Sequence, residues 1–273
     1  MRIGVKPGQY GWSWAQLRDA WRAAEQQGFG HLGCFDHVSD APRGLVAWDA
    51  PSLLVAMAGD TERVTLTVEV LNAALRHPFL LAGQLAVAQA ASGGRLVVGI
   101  GAGSAHLARM DHQALGVPFP AHAERVARLE RCCRVLAALW RGEAVDEPEL
   151  GMAGAALGPQ GIEPPRLLVG GSSDAVLEVA VRHGDGWHAP SDAAEFAAVG
   201  RRLDQACQRA GRERPIERAG QVFLSEVGVG GAAGAAERFA AAGADALTFV
   251  LHTERGPAAV EQLGGALRQA GWL

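Results

Sequence analysis

Lysine is almost missing from this chain: Lys6 is the only one, and every other permanently basic side chain is arginine. With 25 basic and 29 acidic residues the formal charge is -4, the two signs are interspersed, and no basic face suggests a nucleic-acid partner. No apolar run reaches the length of a membrane span, and no signal-peptide pattern is present, because residues 1–6 already read as a strand. A cytoplasmic protein with no membrane partner is expected. The four cysteines, Cys34, Cys132, Cys133 and Cys207, lack any metal-ligand spacing, so reduced thiols are expected and a bound metal is not. Also absent is a dinucleotide fingerprint after the first strand, where Lys6-Pro7-Gly8-Gln9-Tyr10 supplies no glycine triad.

What remains suffices for a large core. Hydrophobic residues make up 49% and charged residues 20% of 273 residues, a length at which one domain buries roughly three-quarters of its unfolded surface. The informative stretch is Gly30-His31-Leu32-Gly33-Cys34-Phe35-Asp36-His37. It reads as a short buried strand, preceded by a helix that stops at Gly28 and ended by a carboxylate beside an imidazole. In α/β folds chemistry gathers at that end of a strand. Taken alone, Asp36 as a loop cap and His37 as a surface residue explain the pair equally well.

The pattern predicts strands over residues 1–6, 31–35, 64–71, 95–100, 166–169, 186–188, 218–227 and 245–251. Helices are predicted over 13–27, 50–59, 78–91, 121–140, 174–183, 193–210, 232–242 and 257–270, with Ser13 as an N-cap and Pro78 in a first turn. A long loop follows Gly101-Ala102-Gly103, and residues 142–165, rich in Gly and Pro, read as an insertion packed outside the core. Eight alternating units imply a single-domain (β/α)8 TIM barrel over residues 1–273, with one insertion after the fourth helix. A doubly wound sheet is the rival, weakened by the missing fingerprint.

In such a barrel His37, His188 and His252 end strands at one mouth, joined by Asp36. Metal hydrolases of this fold place paired ligands after strand one, which here has no histidine, so an organic cofactor is preferred to a metal. Gly99-Ile100-Gly101-Ala102-Gly103 reads as backbone left bare for something flat, or as a plain tight turn. Gly170-Gly171-Ser172-Ser173, leading into a helix, reads as a phosphate cradle, with simple N-capping by either serine as the alternative. Trp48, His106, His188 and His252 are candidates for lining the mouth.

Taken together, these residues resemble the luciferase-like monooxygenase superfamily, particularly its deazaflavin (coenzyme F420)-dependent oxidoreductases. The resemblance runs along almost the whole chain: Ala20-x3-Ala24-Glu25-x2-Gly28-Phe29 leading to Asp36-His37, and Thr61-x-Arg63-Val64-x-Leu66 leading to Arg76-His77-Pro78. It continues in Ser92-Gly93-Gly94-Arg95-Leu96, the glycines up to Gly103, Leu139-Trp140-x-Gly142, Pro164-Pro165 to Gly171, and Gly184-Asp185-Gly186-Trp187.

The resemblance implies a flavin-type ring in the mouth, backed by a bulge with a cis peptide at Glu69-Val70. It implies Asp36 reaching polar ring atoms, Asn72 at the ring edge or ribityl chain, and Gly101, Ala102, Gly103 and Ser104 around the ring. Gly170, Gly171, Ser172 and Ser173 would hold the phosphate, and His37 would position the substrate or transfer a proton. Departures are specific: Ala41 stands where sugar-phosphate oxidisers of the family have Trp, Ser104 where they have an acid, and Gln89 where an Asp is common. The first two argue against sugar-phosphate oxidation, and Gln89 reads as a surface change. The implied activity is hydride transfer between F420 and a small organic substrate by a homodimer. The alternatives are a reduced-FMN-dependent monooxygenase and a non-catalytic flavin- or deazaflavin-binding protein.

Overall fold

The computed structural model describes residues 1–273 except 39–46, 104–106, 159–160, 191 and 252–255. In chain order the elements are β1 (Arg2–Lys6), α1 (Trp14–Gln27), β2 (His31–Cys34), α2 (Ala50–Asp60), β3 (Thr65–Asn72), α3 (Pro78–Ala91) and β4 (Leu96–Gly101). There follow α4 (Leu107–Ala114), α5 (His122–Trp140), β5 (Val145–Glu147), a 3-10 turn (Pro148–Leu150), β6 (Met152–Ala155), β7 (Arg166–Gly170) and α6 (Asp174–His183). The chain closes with β8 (Gly186–Pro190), α7 (Ala193–Arg209), β9 (Glu217–Phe223), α8 (Leu224–Val227), α9 (Ala232–Ala241), β10 (Ala246–Val250) and α10 (Ala258–Gln269).

Eight parallel strands form a closed barrel in the order β1-β10-β9-β8-β7-β4-β3-β2, which is the expected (β/α)8 architecture. Alternation along each strand builds two surfaces. Ile3, Val5, Leu32, Leu66, Val68, Val98, Val169, Leu247 and Phe249 are buried in the main apolar core beneath the helices. The intervening residues meet across the barrel axis: Leu168 and Val97 form a small apolar cluster with Ala219 and Ala246. The rest are mostly small or polar, with Lys6 donating to Gln221 at 2.5 Å and Thr248 to Glu69 at 2.9 Å. Helix ends follow local chemistry. Ser13 and Gln16 form a reciprocal capping box at the start of α1, and Gly28 ends that helix with φ +90°.

Three segments differ from the sequence expectation. The loop after β4 contains α4, whose buried face is Ala108, Asp111 and His112, a polar set with no hydrophobic period to betray it. The strand expected over 218–227 ends at Phe223, and Leu224–Val227 turns into α8, because the alternating pattern simply continues past the strand's end. The insertion holds an antiparallel hairpin, β5 with β6, outside the barrel sheet; its Val145 and Met152 side chains are buried in the core. Gln89, expected at the surface, is buried and accepts the Leu96 N–H at 3.0 Å.

Close approach rather than φ explains Gly4. A Cβ there would stand 2.1 Å from the ring of His31, which is folded into the barrel axis against it. Gly59, near the end of α2, has nothing within 4 Å of the same position. Gly4→Ala should therefore destabilise the fold by about 1–3 kcal/mol through overpacking, whereas Gly59→Ala should stabilise it by up to about 1 kcal/mol. Urea unfolding of the two variants checks this; equal midpoints would overturn the packing argument.

Candidate active site

Asp36 and His37 leave β2 side by side but enter two separate networks. Asp36 is 2% exposed; it accepts from the Asn72 backbone N–H at 2.9 Å and forms an ion pair with Arg76 at 2.8 Å. Burial raises the Asp36 pKa against the pull of Arg76 and the Asn72 N–H, while burial opposes the charge of Arg76 but Asp36 and Asp49 raise its pKa overall. Arg76 also donates to Asp49, the N-cap of α2, at 2.6 Å. Oδ2 of Asp36 thus ties the ends of β2 and β3 together, while the buried Oδ1 has the Arg76 ion pair but no hydrogen-bond partner among the described residues.

His37 keeps 21% of its side chain exposed. Its Nδ1 lies 2.8 Å from Oδ2 of Asp111, whose Oδ1 accepts the Val38 N–H at 2.9 Å. Asp111 is 1% exposed and sits on α4. With a carboxylate accepting from Nδ1–H, Nε2 is the nitrogen left for chemistry. Sequence reasoning missed Asp111 because it missed α4; the spacing of Ala108, Asp111 and His112 on one helical face was the only signal.

The remaining expected residues converge on the end of β3. The peptide between Glu69 and Val70 is cis, as the resemblance implies, and the pairing of β3 with β4 shifts register between Val68 and Leu71. Glu69 turns into the barrel axis and is 6% exposed, so its side chain does not line the mouth. Val70 is half-buried and lies over three glycines: a Cβ on Gly99 or Gly101 would stand 2.9 Å from it, and one on Gly170 2.7 Å. Val70 thus covers the bare backbone of Gly99 and Gly101 in β4.

Asn72 accepts the Ala74 N–H at 3.0 Å, and its buried Nδ2 has no partner among the described residues. Gly103, with φ +83°, brings its backbone against that amide and against Ala108 of α4; the Ala102 carbonyl accepts from Arg125 at 3.2 Å. At the start of α6, Gly171 donates to the His188 carbonyl at 3.0 Å and accepts from Trp187 Nε1 at 2.7 Å. Ser172 is exposed. Ser173 occupies the N-cap position without capping, and its buried Oγ has no partner among the described residues. Ser104, Ala41, His106 and His252 lie outside the described residues. Trp48 donates to the Trp12 carbonyl at 3.2 Å and tilts against Trp14.

Beneath the mouth, the barrel axis carries a charged layer. Lys6 is fully buried, 3.5 Å from Glu69 Oε2; it also donates to the Glu69 carbonyl at 3.0 Å and lies 4.3 Å from the centre of the Phe35 ring. His31 Nε2 is 2.7 Å from Thr248 Oγ1, and His188 Nε2 is 3.9 Å from Glu69 Oε2. Burial raises the Glu69 pKa, but Lys6 and the two histidines outweigh it and hold the carboxyl below its ordinary range. Among the described residues, no cluster of three or more His, Cys, Asp or Glu could hold a metal ion, and no helix is long and apolar enough to cross a membrane.

The sequence profile of the luciferase-like monooxygenase family matches residues 1–265. The chain belongs to that family. An F420-dependent glucose-6-phosphate dehydrogenase of Beutenbergia cavernae is 34% identical over 170 residues, covering 60% of this chain and 49% of that protein. The chain thus spans about half the length of the curated relatives it matches. Solved structures share the fold. An F420-dependent secondary alcohol dehydrogenase with an F420–acetone adduct superposes with a TM-score of 0.80 at 14% identity, covering 98% of each chain. A riboflavin lyase with modified FMN and riboflavin gives 0.78 at 14% identity, over 99% of this chain and 92% of that one.

The charged layer sets a pH dependence. Burial lowers the His188 pKa from its ordinary 6.5 to about 4, against the attraction of Glu69. Between those values the unfolded chain binds a proton that the folded protein refuses, so stability is complete above about pH 6.5 and falls as the pH drops toward 4. The slope from this one group is about 1.4 kcal/mol per pH unit. Unfolding midpoints at pH 7, 6 and 5 should show it, and His188→Gln should reduce the slope, leaving the share of His31, whose pKa burial also lowers. An unchanged slope in the variant would overturn the assignment.

Proposed function

We propose that the protein is an oxidoreductase that binds coenzyme F420 in the barrel mouth and transfers a hydride between the deazaflavin and a small organic substrate. The observation that carries this reading is His37 at the mouth, held through Nδ1 by the buried Asp111. A family fold alone leaves chemistry open, whereas an oriented imidazole beside a half-buried apolar backing is a built proton-transfer site.

The residues present fit the cofactor. The unpartnered Asn72 Nδ2 is a donor for a ring-edge or ribityl oxygen, and Val70 offers an apolar surface to a flat ring. Ser173 Oγ and the first N–H groups of α6 suit a phosphate. Glu69, Gly101, Ala102, Gly103 and Gly170 shape this mouth from behind through their packing, and Asp36 holds it through Arg76 and Asn72. When bound, the deazaflavin supplies a carbon that accepts or returns a hydride. His37 Nε2 takes the proton from a substrate hydroxyl in oxidation and returns it to the oxygen in reduction. Asp111 holds the ring and stabilises the imidazolium form.

FMN is the second reading, supported by the fold likeness to the riboflavin lyase. The remaining features of the proposal are a cytoplasmic location, suited to four free thiols whose pKa values burial raises, and a homodimer. For the dimer, Leu80 and Val87 stand 65% and 56% exposed one heptad apart on α3, an apolar stripe that fits a second copy. Sedimentation should give a dimer for the native chain and a monomer for a Leu80→Glu, Val87→Glu double variant; a native monomer at micromolar concentration would remove this feature.

The deciding experiment is a paired titration with F420 and FMN, followed by ligand fluorescence and by turnover with a panel of small alcohols and ketones. Micromolar F420 binding with weak FMN binding is expected. His37→Gln should keep that binding while lowering turnover by roughly 10²–10⁴-fold, and Asp111→Asn should lower it by at least about tenfold. The reverse ligand preference would favour the monooxygenase. Unchanged turnover in His37→Gln would remove His37 from the mechanism, and binding of F420 without any turnover would favour a carrier.

A further inference from the structure

Outside the mouth, between the loop after β3, α5 and the 3-10 turn of the insertion, lies a cavity of about 190 Å³ that the proton transfer does not use. Its wall contains Arg76, His77, Arg128 and Arg131, and no carboxylate. Arg128 and Arg131 stand one helical turn apart on α5, so both present to the same face.

Three of these four basic groups are already engaged. Arg76 pairs with Asp36 and Asp49, and Arg131 with Glu147 and Glu149. His77 Nε2 lies 3.0 Å from the Leu150 carbonyl while Nδ1 accepts the Phe79 N–H, so both ring nitrogens are engaged. Arg128 is half-buried and makes no hydrogen bond or ion pair among the described residues. A guanidinium held partly out of water with a free donor fork suits one chemistry, bidentate capture of a phosphate or carboxylate. The wall also includes Pro78, the first residue of the fourteen-residue α3, so the positive end of that helix dipole faces the same space. On the floor, burial pushes the Cys132 thiol up to about 12, so no thiolate competes for Arg128.

We propose that this cavity is an anion site, filled by a phosphate or carboxylate, with Arg128 as its principal ligand. Because the Ala73–Pro78 loop joins it to the end of β3, its anion is carried by a molecule that also occupies the mouth: a tail carboxylate of F420, whose phosphate the proposed function seats at the start of α6. That second statement rests on the proposed function; the anion site itself does not.

The test uses the full chain and three probes: inorganic phosphate followed by phosphorus NMR line width, F420, and the deazaflavin riboside that lacks phosphate and carboxylates. Phosphate should bind the native protein, and Arg128→Gln should weaken it roughly tenfold while Arg128→Lys, which keeps the charge but loses the fork, falls between. F420 should lose a similar factor in Arg128→Gln, with the tail-less deazaflavin unaffected. Phosphate binding that is absent, or equal in native and Arg128→Gln proteins of unchanged melting temperature, overturns the anion site. Phosphate binding lost in the variant with F420 affinity unchanged retains the site and overturns the tail as its source. A protein that binds phosphate through Arg128 but no F420 at all retains the site and rejects the cofactor reading instead.

Discussion

An ion pair runs through the centre of this barrel, and the mouth above it depends on how that pair is satisfied. Lys6 on β1 and Glu69 on β3 reach the axis from either side of β2, essentially without solvent, and taking two such charges out of water costs several kcal/mol per ion. The cost is met by complete use of the ammonium: it has the Glu69 carboxylate, the Glu69 carbonyl, the Gln221 amide and the face of Phe35. Room for this layer comes from glycine. A Cβ on Gly33 would meet the Lys6 stem at 3.3 Å, just as one on Gly4 would meet His31. Breaking either partner would leave the other charge buried and unpaired, a loss of about 3–5 kcal/mol in comparable cases.

The same layer decides what the end of β3 can present. Once Glu69 is anchored inward by Lys6 and Thr248, the register shift that follows lets Val70 face the mouth as well, over the backbones of β4 and β7. A charged floor is thereby closed by an apolar cover. Asp36 completes the frame by pulling the Asn72 N–H and Arg76 toward β2, and Arg76 extends the tie to α2. Adjacent residues thus enter different ties: Asp36 Oδ2 joins β2 to β3, while His37 Nδ1 is held by Asp111 of α4.

The strands were legible because apolar residues face the helices and mostly small or polar ones face the axis, as in Thr65-Leu66-Thr67-Val68-Glu69, with Val97 and Leu168 as apolar exceptions. The mouth was legible in outline through Asp36-His37 and the glycine clusters, since local spacing carries strand ends and turns. What local spacing does not carry is the far partner. That Glu69 faces Lys6, that Val70 covers Gly170, and that Asp36 pairs with Arg76 are settled by residues tens of positions away. Asp111 was hidden for a related reason: α4 is held by a polar face, so the hydrophobic period that reveals α1 or α5 is missing from it.

His188 shows how strongly this environment discriminates between identical side chains. It shares with His37 a place near the end of a barrel strand, yet it is 2% exposed, with neither ring nitrogen hydrogen-bonded among the described residues. Its neighbours across the axis are Glu69, Lys6 and His31, and burial outweighs the one favourable charge among them, so its pKa is lowered. A neutral imidazole below Val70 adds bulk and polarity to the floor without offering a proton to the mouth. Of these two, only His37 has a buried carboxylate on one ring nitrogen and partial exposure of the ring, and the proposed proton transfer rests on that difference in surroundings rather than on the number of histidines at the mouth.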